Sequence, residues 1–342
     1  TLINTGIGWH EARVPTIVTS VPRAAFTWVT ERMKQEVSIP LITTNRINTP
    51  DVAEEVLSSG QADMVSMARP FLADANFVNK AAENKADEIN TCIGCNQACL
   101  DHVFEQKRAS CLVNPMACYE TELVLEKSPK AKKLAVIGAG PAGLAFSVYA
   151  TERGHQVELF DKIGEIGGQF NVAKQVPGKE EFFETLRYFT KQLSLHNVKV
   201  HLNNEQSAEK LLAAGFDEVI LATGIKPRKL DIKGLEEGFV SNKVLTYLQV
   251  LRDKVVVGNN VAIIGAGGIG FDVATYLSEK SLTNDPEAWL KNWGVDKSYQ
   301  QSGALLNKQD VPKHIQTRNI TLLQRKTTKV GKGLGKTSGW VH

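Results

Sequence analysis

The chain has 342 residues, enough for two or three domains, and its 42% hydrophobic and 23% charged content is that of an ordinary globular protein. A net charge of +3 is too small to predict a nucleic-acid partner. No apolar run reaches the roughly 18 residues of a membrane span, and no basic segment followed by an apolar one opens the chain, so neither a span nor a secretory signal is expected.

In chain order, residues 2–9 read as a short strand running into a loop, and residues 23–36 as a helix. Pro40-Leu41-Ile42-Thr43-Thr44 is a β-branched strand that ends in Asn45-Arg46. Thr49 then caps a helix with Pro50 at its first position, running through Leu57. Met64 to Ala68 form the next strand, ending at Arg69-Pro70. Strand–helix–strand with short loops predicts a parallel α/β arrangement, and residues 1–85 read as the last three units of a (β/α)8 TIM barrel. The loops after the last two strands of such barrels often bind phosphate, which suits Arg46 and the Ala68-Arg69 backbone; two ordinary surface arginines fit the spacing equally well. The chain begins with Thr1 and ends at His342 just after a Gly-rich basic stretch, so a fragment of a longer protein is expected, without the earlier barrel strands.

Residues 86–125 hold Cys92, Cys95, Cys99 and Cys111, spaced C-x2-C-x3-C-x11-C. Four thiolates within twenty residues can converge on one metal centre. Spacing alone leaves open a cube-shaped iron–sulfur cluster or a structural zinc site, with disulfides a weaker third reading. Context favours the cluster, because a one-electron carrier has a role between two flavin sites and a zinc would only staple the fold. Cysteines used as ligands also predict a reducing, cytoplasmic compartment. Cys118 is left over and is expected to be a small buried residue.

Residues 126–133 are a polar, Pro-containing linker. Leu134 to Gly143 then read as strand, glycine turn and helix, with Gly138, Gly140 and Gly143 in GxGxxG spacing. A second strand, Gln156 to Phe160, ends in Asp161, where a carboxylate accepts from a ribose hydroxyl. Gly167-Gly168-Gln169 forms another tight turn, and Glu218 to Gly224 a further strand that ends in a small turn before Lys226-Pro227. Residues 126–255 are therefore expected to form the first part of a dinucleotide-binding domain. The pattern returns at Gly265, Gly267 and Gly270, opening a truncated nucleotide domain over 256–342. Two such turns 127 residues apart are far more specific than one, and predict two dinucleotides. An insertion over about 280–315, with Trp289 and Trp293, delays the next strand, Ile320 to Gln324. That strand ends in Arg325-Lys326 rather than an acid, which favours the 2′-phosphate of NADPH, although a solvated basic loop would look the same.

Taken together, these residues resemble the bacterial NADPH-dependent 2,4-dienoyl-CoA reductases, and the resemblance covers the whole chain. The carrying segments are Gly8-Trp9-His10-Glu11-Ala12-Arg13 followed by Pro15-Thr16, Thr43-Thr44-Asn45-Arg46, Met67-Ala68-Arg69-Pro70-Phe71, Cys92 to Asp101, and Gly333 to Trp340. The cysteine motif is shared with relatives such as trimethylamine dehydrogenase. The resemblance implies an Old-Yellow-Enzyme-like FMN barrel, an iron–sulfur segment and tandem Rossmann-like FAD and NADPH domains. It implies reduction of dienoyl-CoA thioesters in unsaturated fatty acid β-oxidation, with electrons passing from NADPH to FAD, a 4Fe–4S cluster, FMN and substrate. On this reading His10 serves proton donation with a tyrosine from an earlier strand, while Glu11 and Arg13 lie by the substrate. Arg46, Ala68 and Arg69 bind FMN, and Cys92, Cys95, Cys99 and Cys111 hold the cluster. Gly138, Gly140, Gly143, Asp161 and Gln169 bind FAD; Gly265, Gly267, Gly270, Arg325 and Lys326 bind NADPH; Lys329 and Trp340 lie near substrate or cofactor. The alternatives are a related amine dehydrogenase, another ene-reductase, or a non-catalytic electron-transfer module.

Overall fold

The computed structural model describes residues 1–9, 12–228, 230–312 and 317–335. It resolves into two compact units: 1–120 with 176–181 and the chain from 258 onward, and 121–175 with 182–257.

The first unit opens with three parallel strands, β1 (Ile3–Asn4), β2 (Leu41–Thr43) and β3 (Met64–Val65), in the order β1-β2-β3. Among the described residues these strands form an open three-stranded parallel sheet, joined by helices in the strand–helix–strand pattern expected of three successive units. The helices Thr27–Lys34 and Pro50–Ser58 connect them. Pro50 sits at the start of its helix, where the missing N–H costs nothing, and Ala53 and Val56 bury one face. A buried hydroxyl chain ties the layer together: Thr30 Oγ1 donates to Thr43 Oγ1 at 2.9 Å and pairs with Thr5 Oγ1 at 2.9 Å. The strand expected over Met64–Ala68 stops at Val65, because Arg69–Ala73 turns into a short helix with Pro70 in its first turn.

The second unit is a four-stranded parallel sheet of β4 (Lys133–Ile137), β5 (Gln156–Phe160), β6 (Lys199–His201) and β7 (Glu218–Leu221). Their order is β6-β5-β4-β7, which is the 3-2-1-4 arrangement of a mononucleotide-binding half. Leu134, Ala135 and Val136 are buried on both faces, as parallel strands with crossover helices require. The helices Pro141–Glu152 and Phe182–Leu195 supply Leu144, Val148, Leu186, Phe189 and Leu193 to the core.

The chain then returns to the first unit with β8 (Asn260–Ile264) and β9 (Asn319–Leu323), a two-stranded parallel pair. The insertion between them folds partly into the helix Pro286–Asn292, capped by Asp285, whose carboxylate accepts from the Ala288 amide at 2.9 Å. Its Trp289 and Leu290 pack with Val14, Val21, Ala25 and Phe26 in one apolar cluster. Trp289 meets Phe26 edge-on at 6.0 Å.

Candidate functional site

Cys92, Cys95, Cys99 and Cys111 all line one cavity, with Arg69, Leu72, Ile93, Asn96, Leu112 and Val113. Two loops bring them there. The first is the C-x2-C-x3-C turn, in which Gly94 and Asn96 take left-handed φ values of 65° and 60°. A Cβ on Gly94 would press on the backbone of Thr19 at 3.1 Å. The second loop carries Cys111 and is tied to the first where the Ser110 amide donates to the Ala98 carbonyl at 2.7 Å. Asn90 Nδ2 donates to the Val113 carbonyl at 2.7 Å, and Asn114 Nδ2 to the Leu72 carbonyl at 2.9 Å.

All five cysteines are free thiols. Burial pushes the Cys95 thiol up to about 12 and Cys111 up to about 11, and the other cysteines of the cavity add to both rises. Burial also raises Cys99, against the neighbouring Arg69 guanidinium. Crowded, desolvated thiols such as Cys95, Cys99 and Cys111 ionise together only when cationic charge arrives among them, so the donor set fits a thiolate-bound metal centre. Cys118, expected to be buried, is exposed instead, in a left-handed turn at φ 64°.

Arg46 ends β2 in a left-handed conformation, φ 55°, and is buried. Its Nε donates to the Val21 carbonyl at 2.8 Å and its Nη2 to Glu181 Oε1 at 2.6 Å. Glu181 also takes both Arg23 Nε, at 2.8 Å, and Arg23 Nη2, at 2.6 Å. Asn48 Nδ2 reaches Glu181 Oε2 at 3.1 Å and the Cys92 carbonyl at 2.8 Å, so this buried ion cluster abuts the cysteine turn. Burial alone would raise Glu181; the Arg23 hydrogen bond and the Arg46 charge outweigh it and hold the carboxyl down to about 2. Arg46 is pulled below its ordinary value by burial, with Glu181 opposing. The arginine thus bears a desolvation cost that the carboxylate offsets. Nothing in the local sequence marks Glu181.

In the second unit, Gly138 (φ 110°) forms the turn after β4, and a Cβ there would overlap the Ala222 carbonyl. A Cβ on Gly143 would overlap the Gly138 carbonyl, so this glycine permits close helix–strand packing. Gly140 faces open space, as a backbone approached by pyrophosphate must. Asp161 Oδ2 accepts from the Ala139 amide at 2.7 Å and Oδ1 from the Ile163 amide at 2.9 Å, which fixes the carboxylate against the turn. A Cβ on Gly168 would come within 3.1 Å of the Gly140 Cα, so the Gly167-Gly168-Gln169 turn sits against the first one. Gln169 donates to the Ile225 carbonyl at 2.7 Å and accepts from the Tyr247 hydroxyl at 3.2 Å.

The second glycine turn repeats the device. Gly265 has φ 118°, Gly267 faces open space, and a Cβ on Gly270 would overlap the Gly265 carbonyl. Arg325 and Lys326 lie exposed just beyond β9, and Lys329 is exposed further along. Ala68 and Arg13 are exposed. His10, Glu11 and Trp340 lie outside the described residues.

Residues 1–88 match the NADH:flavin oxidoreductase / NADH oxidase family, and residues 132–288 the pyridine nucleotide-disulphide oxidoreductase family. The chain is 36% identical over 343 residues to a metal reductase of Desulforamulus reducens, covering 99% of this chain and 49% of that protein. It is 35% identical over 251 residues to a cinnamate reductase of Clostridium sporogenes, covering 73% of this chain and 37% of that protein. A solved 2-naphthoyl-CoA reductase in complex with 2-naphthoyl-CoA matches with a TM-score of 0.77 at 31% identity, covering 81% of this chain and 42% of that one. The chain therefore spans half or less of the length of these relatives. Among the described residues no helix is long and apolar enough to cross a membrane. From the two family matches, carried on a parallel sheet and paired glycine turns, the chain belongs to the Old-Yellow-Enzyme-like flavin oxidoreductases that include a pyridine-nucleotide Rossmann domain.

Proposed function

We propose that the protein carrying this chain reduces a conjugated carbon–carbon double bond of a CoA thioester, of the 2,4-dienoyl-CoA class, with NADPH as reductant. The observation that carries this reading is the cavity lined by four cysteines, placed in the chain between a flavin-oxidoreductase segment and two dinucleotide turns. Two relatives are named for cinnamate and for 2-naphthoyl-CoA, both conjugated acyl groups, and the second supports a CoA thioester.

A 4Fe–4S cluster is the centre that this reading assigns to the cavity. Zinc draws four sulfurs to about 2.3 Å from one point. A cluster keeps its cysteine sulfurs apart, because iron and sulfide lie between them. Four thiols line one cavity, placed in the chain between the two family segments, where a one-electron carrier has a role, and this supports the cluster. When bound, FMN, FAD and the cluster supply hydride transfer and one-electron transfer.

The chain's own residues have separate tasks in this scheme. The four cysteines hold the cluster, and the Ala68-Arg69 backbone binds the FMN phosphate. The bare face of Gly140 admits the FAD pyrophosphate, with Asp161 oriented for the ribose. Arg325 and Lys326 read the 2′-phosphate of NADPH. His10 belongs to the group that delivers a proton to the substrate carbon.

The test is turnover by the intact protein under anaerobic conditions, with NADPH offered alongside a 2,4-dienoyl-CoA, free cinnamate or a tertiary amine. Loss of the dienoyl absorbance coupled to NADPH oxidation is expected. Turnover of the amine alone would replace this reading with an amine dehydrogenase. Oxidation of NADPH by an artificial acceptor only would leave an electron-transfer module.

A further inference from the structure

Arg69 is assigned to FMN by resemblance, but its side chain lines the cysteine cavity. Its Nη1 donates to Asn96 Oδ1 at 2.5 Å. Asn96 lies inside the C-x2-C-x3-C turn, is 1% exposed, and holds a left-handed φ of 60°. With its oxygen taken by the guanidinium, its amide nitrogen is fixed on the opposite side. Among the described residues Nδ2 has no hydrogen-bond partner, although it is buried and the residue lines the cavity. A buried N–H donor left without a partner carries its full desolvation penalty, so such an atom points to an acceptor that completes it. The acceptors that a cysteine-lined cavity offers are sulfurs.

We propose that Arg69 and Asn96 act as one unit that sets the reduction potential of the cluster: Asn96 Nδ2 donates to a cluster or cysteine sulfur, and Arg69 both aims that donor and contributes a positive charge. The inference rests on the cluster reading above. Reduction adds one electron, hence one negative charge, to the cluster. A nearby cation and an N–H···S bond both stabilise the reduced form more than the oxidised form, and so raise the potential. Arg69 then has two roles on two sides, its backbone at the flavin phosphate turn and its guanidinium at the cluster, which would couple the placing of one centre to the potential of the other.

The experiment is an EPR-monitored dithionite titration of the intact protein, purified anaerobically, with iron, sulfide and FMN contents measured beforehand. Arg69→Gln should lower the ratio of reduced to oxidised cluster at a fixed potential by about tenfold, a shift of about 59 mV for a one-electron couple. Arg69→Lys, which keeps the charge and loses the planar fork, should recover part of it. Asn96→Gly removes the donor while tolerating the left-handed backbone, and should shift the potential in the same direction with FMN content unchanged. Should Arg69→Gln fail to assemble, the Asn96→Gly value decides. Wild-type protein without iron and sulfide would overturn the cluster reading and this inference together. A wild-type cluster whose potential is unmoved by Asn96→Gly and Arg69→Gln would overturn this inference alone.

Discussion

Arg46 Nη2 and Glu181 Oε1 meet at 2.6 Å in a buried ion pair, although 135 residues separate them in the chain. The six residues Val176–Glu181 belong to the first unit, while the chain on either side of them belongs to the second. Removing one partner of a buried pair leaves an uncompensated charge, which typically costs about 3–5 kcal/mol. Glu181→Gln should therefore lower the urea midpoint clearly at pH 7. The carboxyl sits at about 2, below its ordinary 4.5, so its contribution is present above about pH 4.5 and disappears as pH falls toward 2. That shift corresponds to about 3 kcal/mol. The gap between wild type and Glu181→Gln should narrow over that pH window. A constant gap would show that the carboxylate charge is not what stabilises the site.

Sequence made the local elements legible and left the long-range pairings hidden. Pro50, the β-branched run before Asn45 and the two GxGxxG turns each announce a local backbone geometry, and the structure has strands, helices and turns at all of them. The segment expected as a strand from Glu218 ending in a small turn by Gly224 pairs from Glu218 to Leu221, and Gly224 takes a left-handed φ of 69°. Glu181 was invisible, because a glutamate in a charged Lys-Glu-Glu run looks solvated and only tertiary contact reveals its two arginines. Trp289 stands out within the insertion, but nothing local says that it packs on Phe26 and Val21. Asn96 carried one faint signal: asparagine tolerates the left-handed turn that tight cysteine spacing demands.

The metal in the cysteine cavity should be iron. Anaerobically purified protein is expected to be brown, with iron and acid-labile sulfide in similar amounts. Oxidising it with ferricyanide in the presence of a chelator should bleach it. Cys111→Ser should also lower iron content, because it removes the one cysteine of the four that the second loop brings to the cavity. Stoichiometric zinc without sulfide would remove the cluster reading.

Gly140 and Gly143 should fail in different ways. A Cβ on Gly143 overlaps the Gly138 carbonyl, so Gly143→Ala must push the helix Pro141–Glu152 off β4 and should destabilise the fold even without cofactor. A Cβ on Gly140 meets nothing within 4 Å, and its φ of −76° suits any residue. Gly140→Ala should therefore leave the melting temperature of the flavin-free protein nearly unchanged while cutting FAD content. Equal loss of stability in both variants would mean that Gly140 serves packing and not a ligand.

Arg325 and Lys326 should set the preference for NADPH. They lie exposed just beyond β9, the strand paired with β8 ahead of the second glycine turn, where NADH-binding folds usually place an acid for the ribose. A guanidinium grips a phosphate with two hydrogen bonds and a lysine adds a point charge. Charge-assisted bonds contribute about 1.5–3 kcal/mol each, so replacing both residues with Ala should raise KM for NADPH roughly ten-fold or more. NADH lacks the 2′-phosphate and should be little affected. Because both side chains are exposed, the NADPH advantage should also shrink at high salt. Steady-state kinetics with each cofactor, at low and high ionic strength, separate the outcomes. Equal losses for NADH and NADPH would mean that the pair supports the fold, and the specificity assignment would fall.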